Sequence, residues 1–217
     1  LWTDEAMSGA GFAGAWSELP VSYRLPMAAM EQACKFAESF LPGEQTALPT
    51  RQQQDLELEP CSLRWVQIQE HNAPQICCEE VLRLFSESTL QNMAISDATF
   101  LCAGRKLGLS VIKLLEKSGV KVVHTYDDDD KESRRQKVGF YMGDARVKAT
   151  TLHSFKGWES RILVLYIGGR LDKKNLALIY AGLTRLKRNL NGSCLTVVSS
   201  TPELEQYGRD WPCFVSV

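Results

Sequence analysis

Apolar positions along this chain follow two patterns that alternate. Short, nearly continuous apolar runs such as residues 161–167 (RILVLYI) are typical of strands that are covered on both faces. Between these runs, apolar residues recur every three or four positions, which predicts amphipathic helices. The alternation therefore predicts an α/β fold, in which a mostly parallel sheet carries helices on both faces. Strands are expected at residues 19–24, 63–69, 99–103, 120–125, 147–151, 161–167 and 193–199.

Four stretches with helical spacing are expected to be helices. The first follows Pro26, which suits a first helical turn, and the third closes at Gly119, which suits a C-cap. Residues 127–137 (DDDDKESRRQK) place four acids before a basic group, a pattern that favours a solvated loop. Near the end, we expect a helical turn at 202–207 and packing of the aromatic tail, 211–215, onto the body. The four helices are expected at residues 27–40, 74–86, 105–117 and 175–188.

Composition excludes several classes of protein. With 217 residues, 44% hydrophobic and 24% charged, the chain is typical of a soluble globular protein, and its net charge of −1 argues against a uniformly basic nucleic-acid binder. No apolar run approaches the roughly 20 residues that a membrane span requires. The seven cysteines are scattered, which favours reduced thiols and a cytoplasmic location. Because the chain starts without methionine, we expect it to be a fragment.

Three segments carry the strongest functional signal. TTLHSFKGWE at 150–159 resembles motif V of the UvrD/Rep-like superfamily 1 DNA helicases, which has the pattern T-x-H-x-x-K-G-x-E. LIYAGLTR at 178–185 resembles their motif VI, L-x-Y-V-[GA]-x-T-R. LPVSYR at 19–24 resembles the L-x-x-N-Y-R motif that opens the second motor domain, and the strand at 99–103 resembles the family's motif IV strand. The segments occur in the family's order over most of the chain.

The resemblance implies a fold and a domain organisation. Residues 19–217 would form a single C-terminal RecA-like (P-loop NTPase-like) domain of three layers, and residues 1–18 would be a connector from an N-terminal motor domain. Only about twenty residues separate the strand at 120–125 from motif V, too few for the accessory 2B subdomain that UvrD and Rep insert there. We therefore expect that subdomain to be missing or reduced to a loop.

The resemblance also implies a set of nucleotide contacts. Arg24 and Arg185 would be the arginine fingers that stabilise charge on the γ-phosphate oxygens during hydrolysis. Arginine suits that role because it is planar, bidentate and always protonated. Tyr23 would stack on adenine, Glu159 would accept a ribose hydroxyl, and Gly157 would allow close approach.

A second set of residues would face single-stranded DNA. In the family the motif V loop contacts the strand backbone, which assigns that role to Thr151, His153 and Ser154. Arg105, which follows the motif IV strand, is a further candidate for the DNA track. For His153 the alternative is a histidine satisfied within the fold at the end of a strand.

Alternatives exist for the arginines as well. Arg185 could simply be a cation at a helix C-terminus, and Arg24 could be an ordinary surface residue. The chain also departs from the family at three positions. Ser22 replaces the usual asparagine, Trp158 the usual leucine and Ser160 the usual phenylalanine, and these changes alter the packing around the loop.

These observations predict the C-terminal half of an ATP-dependent DNA helicase or translocase. The chain carries no G-x-x-x-x-G-K-[ST] loop, so the phosphate loop and the Mg²⁺ ligands for ATP are expected from an N-terminal RecA-like domain of the same full-length protein. The isolated chain should be inactive. The alternatives are a degenerate RecA-like domain retained for nucleic-acid or protein binding, and an unrelated doubly wound nucleotide-binding enzyme. No motif indicates a membrane partner, a metal site or a covalent nucleophile.

Overall fold

One parallel β-sheet organises the protein. The structure, a computed structural model, describes residues 24–41, 60–86, 94–127 and 130–217. Within these ranges seven strands pair in the order β3-β4-β2-β5-β6-β1-β7, and every neighbouring pair is parallel. The strands are β1 (Cys61–Gln67), β2 (Ala98–Cys102), β3 (Val122–His124), β4 (Val147–Thr151), β5 (Ile162–Ile167), β6 (Ser193–Ser199) and β7 (Cys213–Ser216).

Helices link the strands and cover the sheet. Helices α2 and α3 pack on one face, where Cys77, Val81 and Ile112 are buried in the same core as the sheet residues. Helices α1, α5 and α6 pack on the other face through residues that include Phe36 and Leu183. The described helices are α1 (Met27–Phe40), α2 (Ala73–Ser86), α3 (Arg105–Lys117), α4 (Asp130–Gly139), α5 (Lys173–Leu183) and α6 (Glu205–Arg209).

The predicted fold class is confirmed. Central strands β2 and β5 are buried along their whole length, as their apolar runs predicted, and so is β6. Helices lie on both faces, which gives the three-layer arrangement. None of the helices in the described ranges is both long and apolar enough to cross a lipid bilayer.

Two predicted elements were wrong. The segment expected to be a solvated loop contains helix α4, because its Glu, Arg, Gln and Lys residues are good helix formers even without an apolar face. The last long helix, α5, ends at Leu183 rather than at residue 188. Beyond it the chain turns at residues 184–185, and Leu186 forms a parallel bridge with Ser160, so a pairing distant in sequence overrides the helical spacing.

The C-terminal tail also forms more structure than expected. Residues 211–215 were expected only to pack onto the body, whereas Cys213–Ser216 form β7, an edge strand parallel to β1. The Arg209 guanidinium lies 5.0 Å from the centre of the Phe214 ring, which helps to hold this short strand. The expected strand at 19–24 lies almost entirely outside the described residues.

The strands of the parallel sheet begin along one line and end along another, and we call these lines the amino edge and the carboxyl edge. All strands run the same way, so their carboxyl ends meet at one edge and their amino ends at the other. The loop after β4 starts at the carboxyl edge and must reach the amino edge to enter β5. On the way, Leu152 and Phe155 are buried in the core that α1 and α5 cover. This one loop therefore connects both edges of the sheet.

Candidate nucleotide and nucleic-acid site

Three of the residues assigned to nucleotide contact converge at the amino edge of the sheet. Arg24 Nη1 lies 3.2 Å from Glu159 Oε1, and the two residues form an ion pair. The Arg24 side chain is 82% exposed, whereas that of Glu159 is 22% exposed. Arg185 is placed beside them, because its carbonyl accepts a 3.0 Å hydrogen bond from the amide of Ser160, the residue that follows Glu159.

Arg185 is the most enclosed cation of this group. Burial lowers the pKa of its guanidinium, the nearby Glu159 carboxylate raises it, and Arg24 lowers it again. The pKa responds to both neighbours, so the three charged groups share one electrostatic environment. Arginine stays protonated in proteins, so the cluster carries two cations and one anion.

The Arg185 guanidinium is oriented by the end of helix α5. Its Nε donates to the Ala181 carbonyl at 3.0 Å, and its Nη2 donates to Thr184 Oγ1 at 3.3 Å. The first contact is the favourable interaction of a cation with carbonyls at a helix C-terminus, which was the alternative reading of this residue. The contact also holds the side chain in one orientation, so it is compatible with phosphate recognition.

The loop between the two edges requires glycine at one position. Gly157 has φ of +90°, a conformation that L side chains rarely adopt, and a Cβ built on it would meet nothing within 4 Å. Within this chain the requirement is therefore conformational and does not come from close packing. The next residue, Trp158, is 38% exposed. Tyr23, expected to stack on adenine, lies outside the described residues.

The residues assigned to DNA contact lie toward the carboxyl edge. Thr151 ends β4, and its Oγ1 accepts from the Ser154 amide at 3.2 Å and donates to Ser154 Oγ at 3.0 Å. These bonds give the start of the loop a compact turn. His153 lies on that turn and is exposed, so its ring is not enclosed by the fold. A DNA backbone could reach it directly.

Arg105 is held differently. It begins α3 just after β2, the strand that pairs with β4, and so lies on the same edge as Thr151. Its Nη1 donates to the Asp127 carbonyl at 3.2 Å. Arg105 therefore also ties α3 to the segment after β3, and an internal contact accounts for part of its role.

The arrangement suits charge stabilisation. Two guanidinium groups beside one carboxylate can bind phosphate and hydroxyl groups, and they provide no covalent nucleophile. In the part of the chain that the structure describes, no group of three or more His, Cys, Asp and Glu side chains could hold a metal ion. Sequence reasoning missed the contact between Ser160 and Arg185, and the only signal at Ser160 was its departure from the pattern of the resembled family.

Comparison with known proteins places the fold. No protein-family model and no curated protein matches the chain. Among solved structures, the C-terminal domain of a possible DNA helicase from Lactobacillus plantarum matches with a TM-score of 0.52 and 12% identity, over 90% of this chain and 99% of that one. The C-terminal domain of the DEAD-box protein Dbp5 matches at 0.47 and 15% identity, over 74% of this chain and 92% of that one. A Dbp5 variant from S. cerevisiae, bound to a Gle1 variant and IP6, matches at 0.49 and 15% identity, over 85% and 46% of the two chains. This chain has the α/β fold of RecA-like helicase C-terminal domains.

Proposed function

We propose that this chain is the C-terminal motor domain of an ATP-dependent DNA helicase or translocase of the UvrD/Rep-like superfamily 1. One observation carries the proposal. Arg24, Glu159 and Arg185 come from three distant segments, each in a different motif, and they share one charge cluster at the amino edge of the sheet. The likeness in fold to the C-terminal domain of a possible DNA helicase from L. plantarum supports it.

The chemistry proposed for this cluster is stabilisation of the γ-phosphate. Negative charge spreads over the γ-phosphate oxygens in the transition state, and two guanidinium groups aimed at those oxygens stabilise it by several kcal/mol. The Arg24–Glu159 pair does not oppose this role. Because Arg24 is 82% exposed, that pair contributes about 0–1 kcal/mol, so Arg24 can exchange the carboxylate for phosphate at low cost. Glu159 is then available to a ribose hydroxyl.

The cluster fits the phosphate end of ATP but does not form a complete site. Two arginines and a carboxylate supply neither the glycine-rich loop that cradles the phosphates nor a set of Mg²⁺ ligands. We propose that both come from an N-terminal RecA-like domain of the full-length protein, which would bind ATP with Mg²⁺ against the amino edge described above. The Mg²⁺ ion would neutralise charge on the β- and γ-phosphates.

Single-stranded DNA is proposed to lie along the carboxyl edge. The hydroxyl of Ser154 and the exposed imidazole of His153 can donate to phosphate oxygens, and they require no particular base. Thr151 donates its own hydroxyl proton to Ser154 Oγ and so orients the Ser154 hydroxyl. Arg105 lies on the same edge. The loop that carries these hydroxyls ends at Glu159. A shift of bound DNA at the carboxyl edge could therefore move Glu159 relative to the nucleotide at the amino edge.

The proposal predicts the behaviour of the chain alone. We expect no measurable ATP hydrolysis and weak binding of single-stranded oligonucleotides that falls steeply with salt, because phosphate contacts release counterions. His153→Ala should weaken that binding further, while His71→Ala, a change at an exposed histidine in the 3-10 helix after β1, should not. Fluorescence anisotropy at two salt concentrations measures both.

Two outcomes decide between the functions. Robust ATP turnover by the isolated chain would contradict the half-site proposed here. DNA binding without any ATP turnover in the full-length protein would instead favour the degenerate binding domain.

A further inference from the structure

A buried serine lies where the motif V loop enters β5. Ser160 is 3% exposed, and its Oγ accepts a hydrogen bond from Thr99 Oγ1 at 2.9 Å. The same hydroxyl lies 2.9 Å from the carbonyl oxygens of Asp97 and Ile162, either of which can accept its proton. A buried hydroxyl without partners is costly, so these bonds determine where Ser160 can sit.

The backbone of Ser160 forms two hydrogen bonds with the segment that carries Arg185. Its amide donates to the Arg185 carbonyl at 3.0 Å, and its own carbonyl accepts from the Lys187 amide at 2.7 Å. On the other side, the Arg188 amide donates to the Arg24 carbonyl at 2.7 Å. The segment after α5, residues 185–188, is thus held between Ser160 and the backbone of Arg24, the other candidate arginine finger.

A second buried residue, Arg161, holds the Asp97 residue whose carbonyl contacts Ser160. Arg161 is 7% exposed, and its Nη1 lies 3.1 Å from Asp97 Oδ2. Its Nε and Nη2 donate to the carbonyls of Gly192 and Asn191 at 2.8 and 2.7 Å. The Asp97 backbone that faces Ser160 is therefore tied to the turn before β6, which leaves little freedom for the serine to move.

We propose that Ser160 is a positioning residue: together with Thr99 and the Asp97 backbone it sets the place of the Arg185 backbone, and hence where the guanidinium points. The inference rests on the proposed function, in which Arg185 contacts the γ-phosphate. The resembled helicases usually carry phenylalanine at the position of Ser160, so hydrogen bonds of the Ser160 hydroxyl replace the packing of an aromatic ring. Hydrogen bonds differ from simple packing because each bond has a direction, so we expect the loss of one hydroxyl to shift the Ser160 backbone as well as to lower the stability of the segment.

Kinetics of the full-length protein test this role. Thr99→Val preserves shape and removes the hydroxyl that donates to Ser160, and Ser160→Ala removes the acceptor. Each should lower kcat for DNA-stimulated ATP hydrolysis about tenfold with less than about a twofold change in KM, because a small misplacement of a catalytic group acts on the transition state. Thr196→Val, an equally buried threonine on β6, is the matched control and should retain wild-type kcat.

A double variant separates positioning from a general loss of structure. If Ser160 acts through Arg185, then Ser160→Ala should cause no further loss of activity in an Arg185→Ala background. The quantity compared is the rate constant of ATP hydrolysis under single-turnover conditions. An additional tenfold loss there, or unchanged kcat in both single variants, would overturn the inference.

Amide hydrogen exchange of this chain tests the same inference without ATP turnover. Thr99→Val should speed exchange at the Ser160 and Lys187 amides at least about tenfold, while Thr196→Val should not. Unchanged exchange would overturn the inference. If the wild-type full-length protein fails to hydrolyse ATP, the proposed function falls, and the exchange experiment still decides whether Ser160 holds this segment.

Discussion

Arg185→Ala should lower kcat for ATP hydrolysis by the full-length protein about 10³- to 10⁵-fold, the range expected for loss of an arginine finger. ATP affinity should change far less, because most of the binding contacts are expected from the N-terminal domain. The half-buried guanidinium is already oriented by the Ala181 carbonyl and Thr184 Oγ1, so under the proposed function it would stabilise the charge that develops on the phosphate. Steady-state kinetics and titration with a fluorescent ATP analogue measure the two quantities.

Lys187→Ala is the matched control for this variant. Lys187 is an exposed cation in the same segment after α5, two residues from Arg185. Its loss should leave kcat near the wild-type value, since only a charge has been removed from the surface. Wild-type turnover in Arg185→Ala would remove the role assigned to that residue, and equal losses in both variants would indicate a nonspecific effect of charge.

Phe155→Ala should lower the free energy of unfolding by about 3–5 kcal/mol, as expected when a fully buried phenylalanine is truncated. Phe155 is 0% exposed and belongs to the core between the sheet and helices α1 and α5. It anchors the middle of the loop that joins the two edges, so both candidate sites depend on it. Urea unfolding of this chain, followed by circular dichroism, measures the change.

Trp158→Ala provides the comparison within the same loop. Its larger ring is 38% exposed, so we expect the free energy of unfolding to fall clearly less than in Phe155→Ala. If the two variants lose similar stability, the loop is not anchored at Phe155 as described. A loss below about 1 kcal/mol in Phe155→Ala would have the same meaning.

Local patterns in the sequence were sufficient for the fold class. The apolar runs that form β2 and β5 reflect burial on both faces, and alternation with helical spacing predicts parallel pairing. The order of strands depends on contacts between distant segments and could not be predicted in this way. The same limit explains the end of α5, where Leu186 pairs with Ser160 instead of continuing the helix.

The candidate site could likewise be predicted only in part from the sequence. Motif resemblance named Arg24, Glu159 and Arg185, and the structure brings these three together. The sequence could not show that Glu159 is already paired with Arg24, because a salt bridge between distant segments leaves no local pattern. It also named Ser160 only as a departure from the family, since the hydrogen bonds to Thr99 and Asp97 exist only in the folded chain.

A structure of the full-length protein with ADP, aluminium fluoride, Mg²⁺ and single-stranded DNA tests the central claim most directly. We predict that the guanidinium groups of Arg24 and Arg185 lie within hydrogen-bonding distance of the fluoride ligands, which stand for the γ-phosphate oxygens. The nucleotide should sit between the N-terminal domain and the amino edge of this sheet. A nucleotide bound elsewhere, with both arginines turned toward solvent, would contradict the account.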